Sequence, residues 1–287
     1  MSLELANYFR QTRYFSDNEQ QRSDTGHSAM RLRGRLKYLL YSASGSFPYF
    51  GHTVHFPPHS HIFVRACAEG IYEQQTATLL MALVQPSTTF MDIGANIGLL
   101  SIPVLVQSAA HTVSVEASPD TFRYLKQTWA RSPHRDRWRV IGSAVGRVAG
   151  EAKFWASSPA NGAFDGLSDT GRGGPKQAIT VTVQTLDQIW NSLDSPRVSV
   201  VKIDVEGGER DVIAGGQEMI AHERPALVIE WSRRNLPAYG VHPRELLTIC
   251  HDIGYRTFAY PNLCLIDGQT LLDAAMAQTE TFLLVSR

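Results

Sequence analysis

Residues 88–103 read TTFMDIGANIGLLSIP. Thr89, Phe90, Met91 and Ile93 make a short apolar run rich in β-formers, the pattern of a buried strand. The run stops at Gly94-Ala95-Asn96-Ile97-Gly98, a turn almost without side-chain bulk, and from Leu99 onward the chain is apolar enough to begin a helix packed on a sheet. Strand, glycine turn and helix in this order leave room for a ligand at the strand's carboxyl end. Glycine lets backbone approach closely and takes dihedrals that other residues avoid.

The totals bound what surrounds this unit. A chain of 287 residues fits one α/β domain with an extension, and 43% hydrophobic residues supply a large core. Lysine plus arginine equals aspartate plus glutamate at 27 each, so no overall charge excess points to nucleic acid or an anionic membrane. A small-molecule partner is expected. Cys67, Cys250 and Cys264 lie far apart without metal-ligand spacing and read as reduced core thiols. No run approaches the roughly 20 apolar residues of a membrane span. The first residues show no basic-then-apolar leader, so a cytoplasmic enzyme is the expectation.

Downstream of the turn, a helix over 99–108 leads to a strand over 111–115 that ends on Glu116. In a doubly wound sheet, a carboxylate there accepts hydrogen bonds from both ribose hydroxyls of a nucleotide seated on the first turn. Ser118-Pro119-Asp120 opens a helix to about residue 130, and a third strand over 138–141 precedes Gly142-Ser143-Ala144-Val145. This small-residue bend is where an adenine ring would lie flat, Ser143 and Ala144 beneath it. Runs 152–156 and 179–183 alternate like paired strands and bracket a glycine-, serine- and aspartate-rich loop over 157–178, a candidate substrate lid. A short helix over 185–190 is expected next. VSVVKI, 198–203, reads as a central parallel strand ending at Asp204-Val205-Glu206-Gly207-Gly208-Glu209, so Asp204 and Glu206 sit at a ligand-binding strand end. Glu209 suits the start of a helix over 210–222. A strand over 225–229 closes on Glu230, and a helix over 243–254 with strands at 255–260 and 281–285 completes the sheet.

Upstream, a helix over 71–84 precedes the first strand. RLRGRLKYLLY, 31–41, places Leu32, Leu36, Leu39 and Leu40 near one helical face and Arg31, Arg33, Arg35 and Lys37 mostly elsewhere. It reads as a solvated basic face rather than a contact with an anionic substrate or a membrane. Residues 1–30 are polar, a frayed arm or a lid. His52, His55, His59 and His61 crowd one segment, but Pro57 and Pro58 interrupt it and no helical His pair exists, so a single substrate-facing histidine is expected rather than a metal centre.

A nicotinamide site wants Gly-x-Gly-x-x-Gly to grip a pyrophosphate; here Asn96 stands where the second glycine should be. With Asp92 acidic at the strand end, the turn favours a cationic, phosphate-free ligand, and S-adenosylmethionine is one. On Tyr72-Glu73, MDIGANIG (91–98), VEASPDTFRYL (115–125), TLDQIW (185–190), VKIDVEGGERDVIAGG (201–216) and PALVIEW (225–231), the chain resembles the FkbM family of S-adenosylmethionine-dependent methyltransferases.

The resemblance implies an α/β, Rossmann-like class I methyltransferase fold over 66–287, with a mostly parallel seven-stranded sheet whose last strand is antiparallel, after an extension over 1–65. It implies that Asp92, Gly94, Ala95, Asn96 and Gly98 cradle the methionine part, that Glu116 holds the ribose beside Ala117, and that Glu73 approaches the same ligand. Ala117 replaces a usual proline, and Pro103 falls early in the helix after the turn. Methyl transfer to a hydroxyl of a sugar, polyketide or related small molecule follows, with amide nitrogen as the alternative. A binding protein without turnover and a dehydrogenase stay open as other classes. Asp204 or Glu206 is the candidate general base, Asp204 also touching cofactor. A Mg²⁺ shared by Asp204 and Glu230 is a further expectation to test.

Overall fold

The computed structural model describes residues 32–287. The expected arm or lid over 1–30, and Arg31, lie outside the described residues. The chain begins with helix α1 (Leu32–Ser42), hairpin strands β1 (Ser46–Tyr49) and β2 (His52–His55), and helices α2 (His61–Glu69) and α3 (Gln74–Leu83). There follow β3 (Thr89–Ile93), α4 (Ser101–Gln107), β4 (His111–Glu116), α5 (Pro119–Ala130), β5 (Trp138–Gly142), β6 (Ala144–Val145) and β7 (Gly150–Ala156). After a 3-10 turn (Pro159–Phe164) come β8 (Gln177–Gln184), α6 (Leu186–Ser192), β9 (Val198–Ile203), α7 (Glu209–Ala214), α8 (Gln217–Glu223) and β10 (Ala226–Glu230). The last elements are α9 (Glu245–Asp252), β11 (Tyr255–Ala259), β12 (Cys264–Ile266), α10 (Gln269–Ala275) and β13 (Thr281–Ser286).

The main sheet runs β12-β11-β13-β10-β9-β3-β4-β5. β3 is parallel to β4 and β9, as are β4 to β5 and β9 to β10, while β13 is antiparallel to both β10 and β11. The strand order reverses beside β3, at β9, so the crevice at the carboxyl ends of β3, β4, β9 and β10 is the expected ligand position of a doubly wound sheet. This is the Rossmann-like methyltransferase architecture expected from the sequence, with β12 as an eighth strand beyond the expected seven. β12 is three residues long and pairs only with β11, too short to carry a periodic signal.

Alternate residues of each central strand serve opposite faces. Met91, Ile93, Val201, Ile203, Leu227 and Ile229 meet Leu186, Ile189, Val212, Ile220 and Leu246 on one face. Phe90, Val200, Val228 and Leu283 meet Leu79, Leu80 and Val104 on the other. With both faces covered, the strands read as continuous apolar runs. The small β6-β8-β7 sheet, in which β7 and β8 are antiparallel, projects from this body and carries the long loop.

Four expectations change. The helix expected over 210–222 is two helices, α7 and α8, parted at Gly215-Gly216. A β-carbon on Gly215 would lie 2.1 Å from the Gly146 carbonyl oxygen, so the chain bends where only glycine fits. The boundary expected at residue 65 falls inside α2, because Phe47, Phe56 and Phe63 share one apolar cluster with Ile97, Leu99, Ile102 and Trp138. Cys67 and Cys250 are buried as expected, but Cys264, on edge strand β12, is exposed. In α1, Leu36, Leu39 and Leu40 face solvent, while Tyr38 and Tyr41 lie against the Phe63 cluster. No helix of the described residues is long and apolar enough to cross a membrane.

Candidate active site

β3 delivers the chain into the turn at 94–98, where Gly94 (φ 80°), Asn96 (φ 50°) and Gly98 (φ 88°) all take left-handed dihedrals. The Gly94 and Ala95 amides both donate to the Val115 carbonyl at 2.9 Å, tying the turn to β4. Glu116, at the end of β4, completes the tie: Oε2 accepts from the Asn96 amide at 2.9 Å and Oε1 from the Ser118 amide at 2.8 Å. Each oxygen keeps a further lone pair for a ligand hydroxyl. Burial pushes the Glu116 carboxyl up to about 7, against the two amide bonds that favour its charge.

Asp92 is fully buried and belongs to the scaffold beneath this turn. Its Oδ2 accepts from the Ser101 hydroxyl at 2.6 Å, and its Oδ1, without a hydrogen bond, faces the Lys202 ammonium at 3.5 Å across the β3–β9 pair. Lys202 Nζ also donates to the Gly94 carbonyl at 3.2 Å and sits 3.2 Å from Asp204 Oδ2. Burial works against that ammonium, but Asp204, Asp92 and Glu73 outweigh it and hold it protonated above the ordinary lysine value. Asp92 therefore meets its counter-charge inside the protein. The acidic groups that border the cleft beside the turn are Asp204, its side chain 28% exposed, and Glu73, which lies 3.6 Å from Arg65 Nη1 and whose carboxyl burial and Asp204 both raise.

Glu206 is placed differently from Asp204. It is buried, and its Oε2 accepts from Arg172 Nη1 and from Asn235 Nδ2, each at 2.9 Å; Asn235 Nδ2 also reaches Glu230 Oε2 at 3.2 Å. Burial and then the Asp204 charge push Glu206 up to about 8, and burial followed by the Asp204 and Glu206 charges raises Glu230 well above the ordinary carboxyl value. Carboxylate oxygens of Asp204, Glu206 and Glu230 lie within 4.8 Å of one another. Each member of the trio already has a protein partner: Arg172 and Asn235 donate to Glu206, Asn235 also reaches Glu230, and Lys202 faces Asp204. Glu209 does more than favour its helix: its buried Oε1 accepts from the Val205 and Gly207 amides at 3.1 and 3.0 Å and so shapes the Asp204–Gly208 turn.

Glu73 (φ 44°) and Glu206 (φ 59°) adopt left-handed backbone that a glutamate takes only at a cost, a pattern concentrated at functional sites. These turns, with Ala117, Ser143 and Ala144, line one cleft of about 2710 Å³ over the sheet. Of the four crowded histidines, His61 lines it. His52 is buried between the Ser132 hydroxyl and the Phe50 carbonyl, and His55 meets Arg131, so the group does not converge on a metal.

The loop over 157–178 lies across the cleft. Gly166 pairs with Trp155, the Ser168 amide donates to Tyr239 Oη at 3.1 Å, and Arg172 stacks on Phe164 while holding Glu206. Asp165, buried and bonded through Oδ1 to the Ser157 amide and hydroxyl, comes close enough to Glu116 to act on its charge. The loop thus borders the cleft on its Glu116 side as well as on its Glu206 side. Lys202, Arg172, Asp165 and Asn235 lie in or against this cleft and were not singled out from the sequence. Lys202 carried a usable signal, a lone charge inside the most apolar strand; the others come from irregular segments with no periodicity to read.

The donor set bears on the cofactor class. Glu73, Asp204 and Glu116 surround the turn, and the one ammonium beneath it is committed to Asp92, Asp204 and Gly94. A diphosphate would meet carboxylates, whereas a ligand with ribose hydroxyls and positive charge meets its complements. Glu116→Gln is expected to weaken S-adenosylmethionine binding about 10- to 100-fold, the scale of hydrogen bonds to a charged group. Wild-type affinity should rise with pH through about 7, as the Glu116 carboxyl loses its proton, and the variant's should stay flat. Calorimetric titration between pH 5.5 and pH 8.5, roughly one to two units either side of that midpoint, checks both. Because this folded pKa is raised, the group's contribution to the stability of the free protein is full below the unfolded value and lost as pH rises through about 7.

Comparison with known proteins places this geometry. The profile of the "Methyltransferase FkbM domain" matches residues 92–257. The hexuronic acid methyltransferase AglP of Haloferax volcanii is 29% identical over 145 residues, which cover 50% of this chain and 56% of that protein. The chain thus spans about half the length of the curated relative it matches. Among solved structures, a methyltransferase FkbM from Methylobacillus flagellatus KT aligns over 88% of this chain and 58% of its own at 14% identity and a TM-score of 0.44. An O-methyltransferase from Bacillus cereus, solved in complex with SAH, aligns over 99% and 100% at 11% identity and a TM-score of 0.45.

Proposed function

Because the chain belongs to the FkbM methyltransferase family, we propose that it methylates a hydroxyl of a small, sugar-like acceptor using S-adenosylmethionine. One observation carries the reading: Glu116 is locked under the glycine turn by the Asn96 amide, while Asp204 faces the same cleft from the end of β9. Glu116 would hold the ribose, Glu73 the positively charged amino acid part, and Gly94 to Gly98 the backbone contacts; Ser143 and Ala144 would underlie the adenine. When bound, the cofactor supplies an electrophilic methyl group on a positively charged sulfur. The acidic cleft wall suits that charge.

The protein's own part is alignment and proton removal. Asp204 is the acceptor's base in this reading. Lys202 fixes its Oδ2, and the carboxylate opens on the cleft, so it can take the hydroxyl proton as the oxygen attacks. Glu206 instead positions: its Oε2 is taken by Arg172 and Asn235, which fixes the lid and the turn around the acceptor. The similarity to a protein named for hexuronic acid makes uronic acid glycosides the first acceptors to try. An amide nitrogen acceptor is the second reading.

Incubation with methyl-labelled S-adenosylmethionine and a panel of uronic and neutral glycosides is expected to give labelled product with wild type. Asp204→Asn should lower turnover about 100-fold or more while cofactor affinity changes only a few-fold. Binding of nicotinamide dinucleotides in place of S-adenosylmethionine would sink the reading, and binding without turnover on any acceptor would leave a binding protein. Mg²⁺ has no part in this scheme, since Arg172, Asn235 and Lys202 already partner the acidic trio. Turnover after exhaustive chelation should be unchanged.

A further inference from the structure

Helix α1 presents an apolar face that the rest of the described structure does not cover. Leu36, Leu39 and Leu40, spaced as neighbours on one helical face, are 57%, 70% and 60% exposed. The opposite side docks: Tyr38 stacks on Phe63 of α2 with ring centroids 5.7 Å apart, Gly34 is buried, and Tyr41 joins the same cluster. Other exposed large apolar residues, Val148, Leu265 and Leu271, lie outside this helix.

The charge around the leucines is one-sided. Arg31, Arg33, Arg35 and Lys37 fall within the same short stretch, and residues 25–68 contain no aspartate or glutamate at all, in a chain whose formal charge is otherwise balanced. Lys37 is exposed beside the leucines. A large exposed apolar patch marks a binding surface, and this charge pattern selects among occupants. Two copies meeting through α1 would bring their cations together with no acid in the segment to neutralise them. An anionic lipid surface offers both complements, a headgroup layer for the cations and an acyl boundary for the leucines.

We propose that α1 is a peripheral docking helix for an anionic membrane surface, with Leu36, Leu39 and Leu40 entering the interface and Lys37 meeting headgroups. α1 rests on α2, and α2 lines the cleft with His61, Arg65 and Ala68. A docked α1 therefore holds the cleft near the lipid surface, where membrane-presented acceptors would be met.

Sedimentation of the full-length protein with vesicles tests this. Vesicles of phosphatidylcholine containing about 30% phosphatidylglycerol should bind the protein at least ~10-fold better than phosphatidylcholine alone, with affinity falling as salt rises. The triple variant Leu36→Ser/Leu39→Ser/Leu40→Ser should lose ~10-fold or more of that binding, and Lys37→Glu several-fold. These side chains are outside the cleft and already exposed, so S-adenosylmethionine affinity of the triple variant should equal wild type, which shows that it folds. Absence of binding to the anionic vesicles, the result if residues 1–31 cover the leucines, overturns the proposal. So does equal binding by the triple variant, or a change of oligomeric state in that variant without an effect on vesicle binding.

Discussion

Gly94→Ala is expected to abolish measurable S-adenosylmethionine binding and to destabilise the fold by more than about 4 kcal/mol, the exceptional end of single substitutions. Two costs add at this residue. Its φ of 80° already disfavours any side chain by roughly 1–2 kcal/mol. The larger cost is steric: a β-carbon would stand 1.8 Å from the Asp204 carbonyl oxygen and 2.9 Å from its carbonyl carbon. Those are backbone atoms of the neighbouring strand's exit, fixed in turn by the Asp204 amide donating to the Ile93 carbonyl at 3.0 Å. The turns after β3 and β9 would have to separate, and with them the proposed cofactor cradle and the proposed base Asp204. Gly171→Ala is the control. It has a similar φ of 71° with nothing within 4 Å of the added carbon, so it should show the backbone cost alone, about 1–2 kcal/mol. Urea unfolding of the two variants, with cofactor titration of whatever folds, separates the terms. Equal losses would show that the approach of the two turns is not what demands glycine.

Lys202→Met should cost about 3–5 kcal/mol, the penalty for removing one partner of a buried ion pair, and lower Tm by roughly 10 °C. The ammonium has three hydrogens and three oxygens to meet, Gly94 O, Asp204 Oδ2 and Asp92 Oδ1. Methionine keeps the aliphatic packing and deletes all three. Asp92, fully buried with an otherwise unpartnered Oδ1, is the group left stranded. Lys202→Met/Asp92→Asn removes that stranded charge and should recover part of the loss. Thermal unfolding of both variants decides the matter: a double variant no more stable than the single would assign the cost to packing rather than to charge.

The buried Asp92–Lys202 pair also shows a partner that sequence reasoning did not supply. Asp92 was legible as an acidic residue ending the first strand, and from the sequence it selects a cationic ligand. In the fold, Lys202 lies opposite it in the β3–β9 register and takes that charge. No spacing rule links positions so far apart; parallel pairing does. Glu116 is the contrary case. Its place at the end of the second strand was readable from local pattern, and the Asn96 amide bond follows from that place. Similarly, 157–178 was legible as a long loop from its length and composition, but Arg172 reaching Glu206 and Asp165 nearing Glu116 depend on how the small sheet projects over the cleft.

The sequence by itself determined the alternation of strands and helices, the glycine turn after the first strand, the carboxylates at successive strand ends and, through its motifs, the family. Those are properties of residues close together in the chain, where propensity, periodicity and turn chemistry act directly. The tertiary structure decided which carboxylates are spent inside and which face a ligand: Asp92 on Lys202, Glu206 on Arg172 and Asn235, Asp204 on the cleft. It also turned Tyr38 and Tyr41 of α1 inward and left Leu36, Leu39 and Leu40 outside. Burial and pairing across strands set those outcomes, because the free energy of a charge or an apolar surface depends on what the fold brings against it.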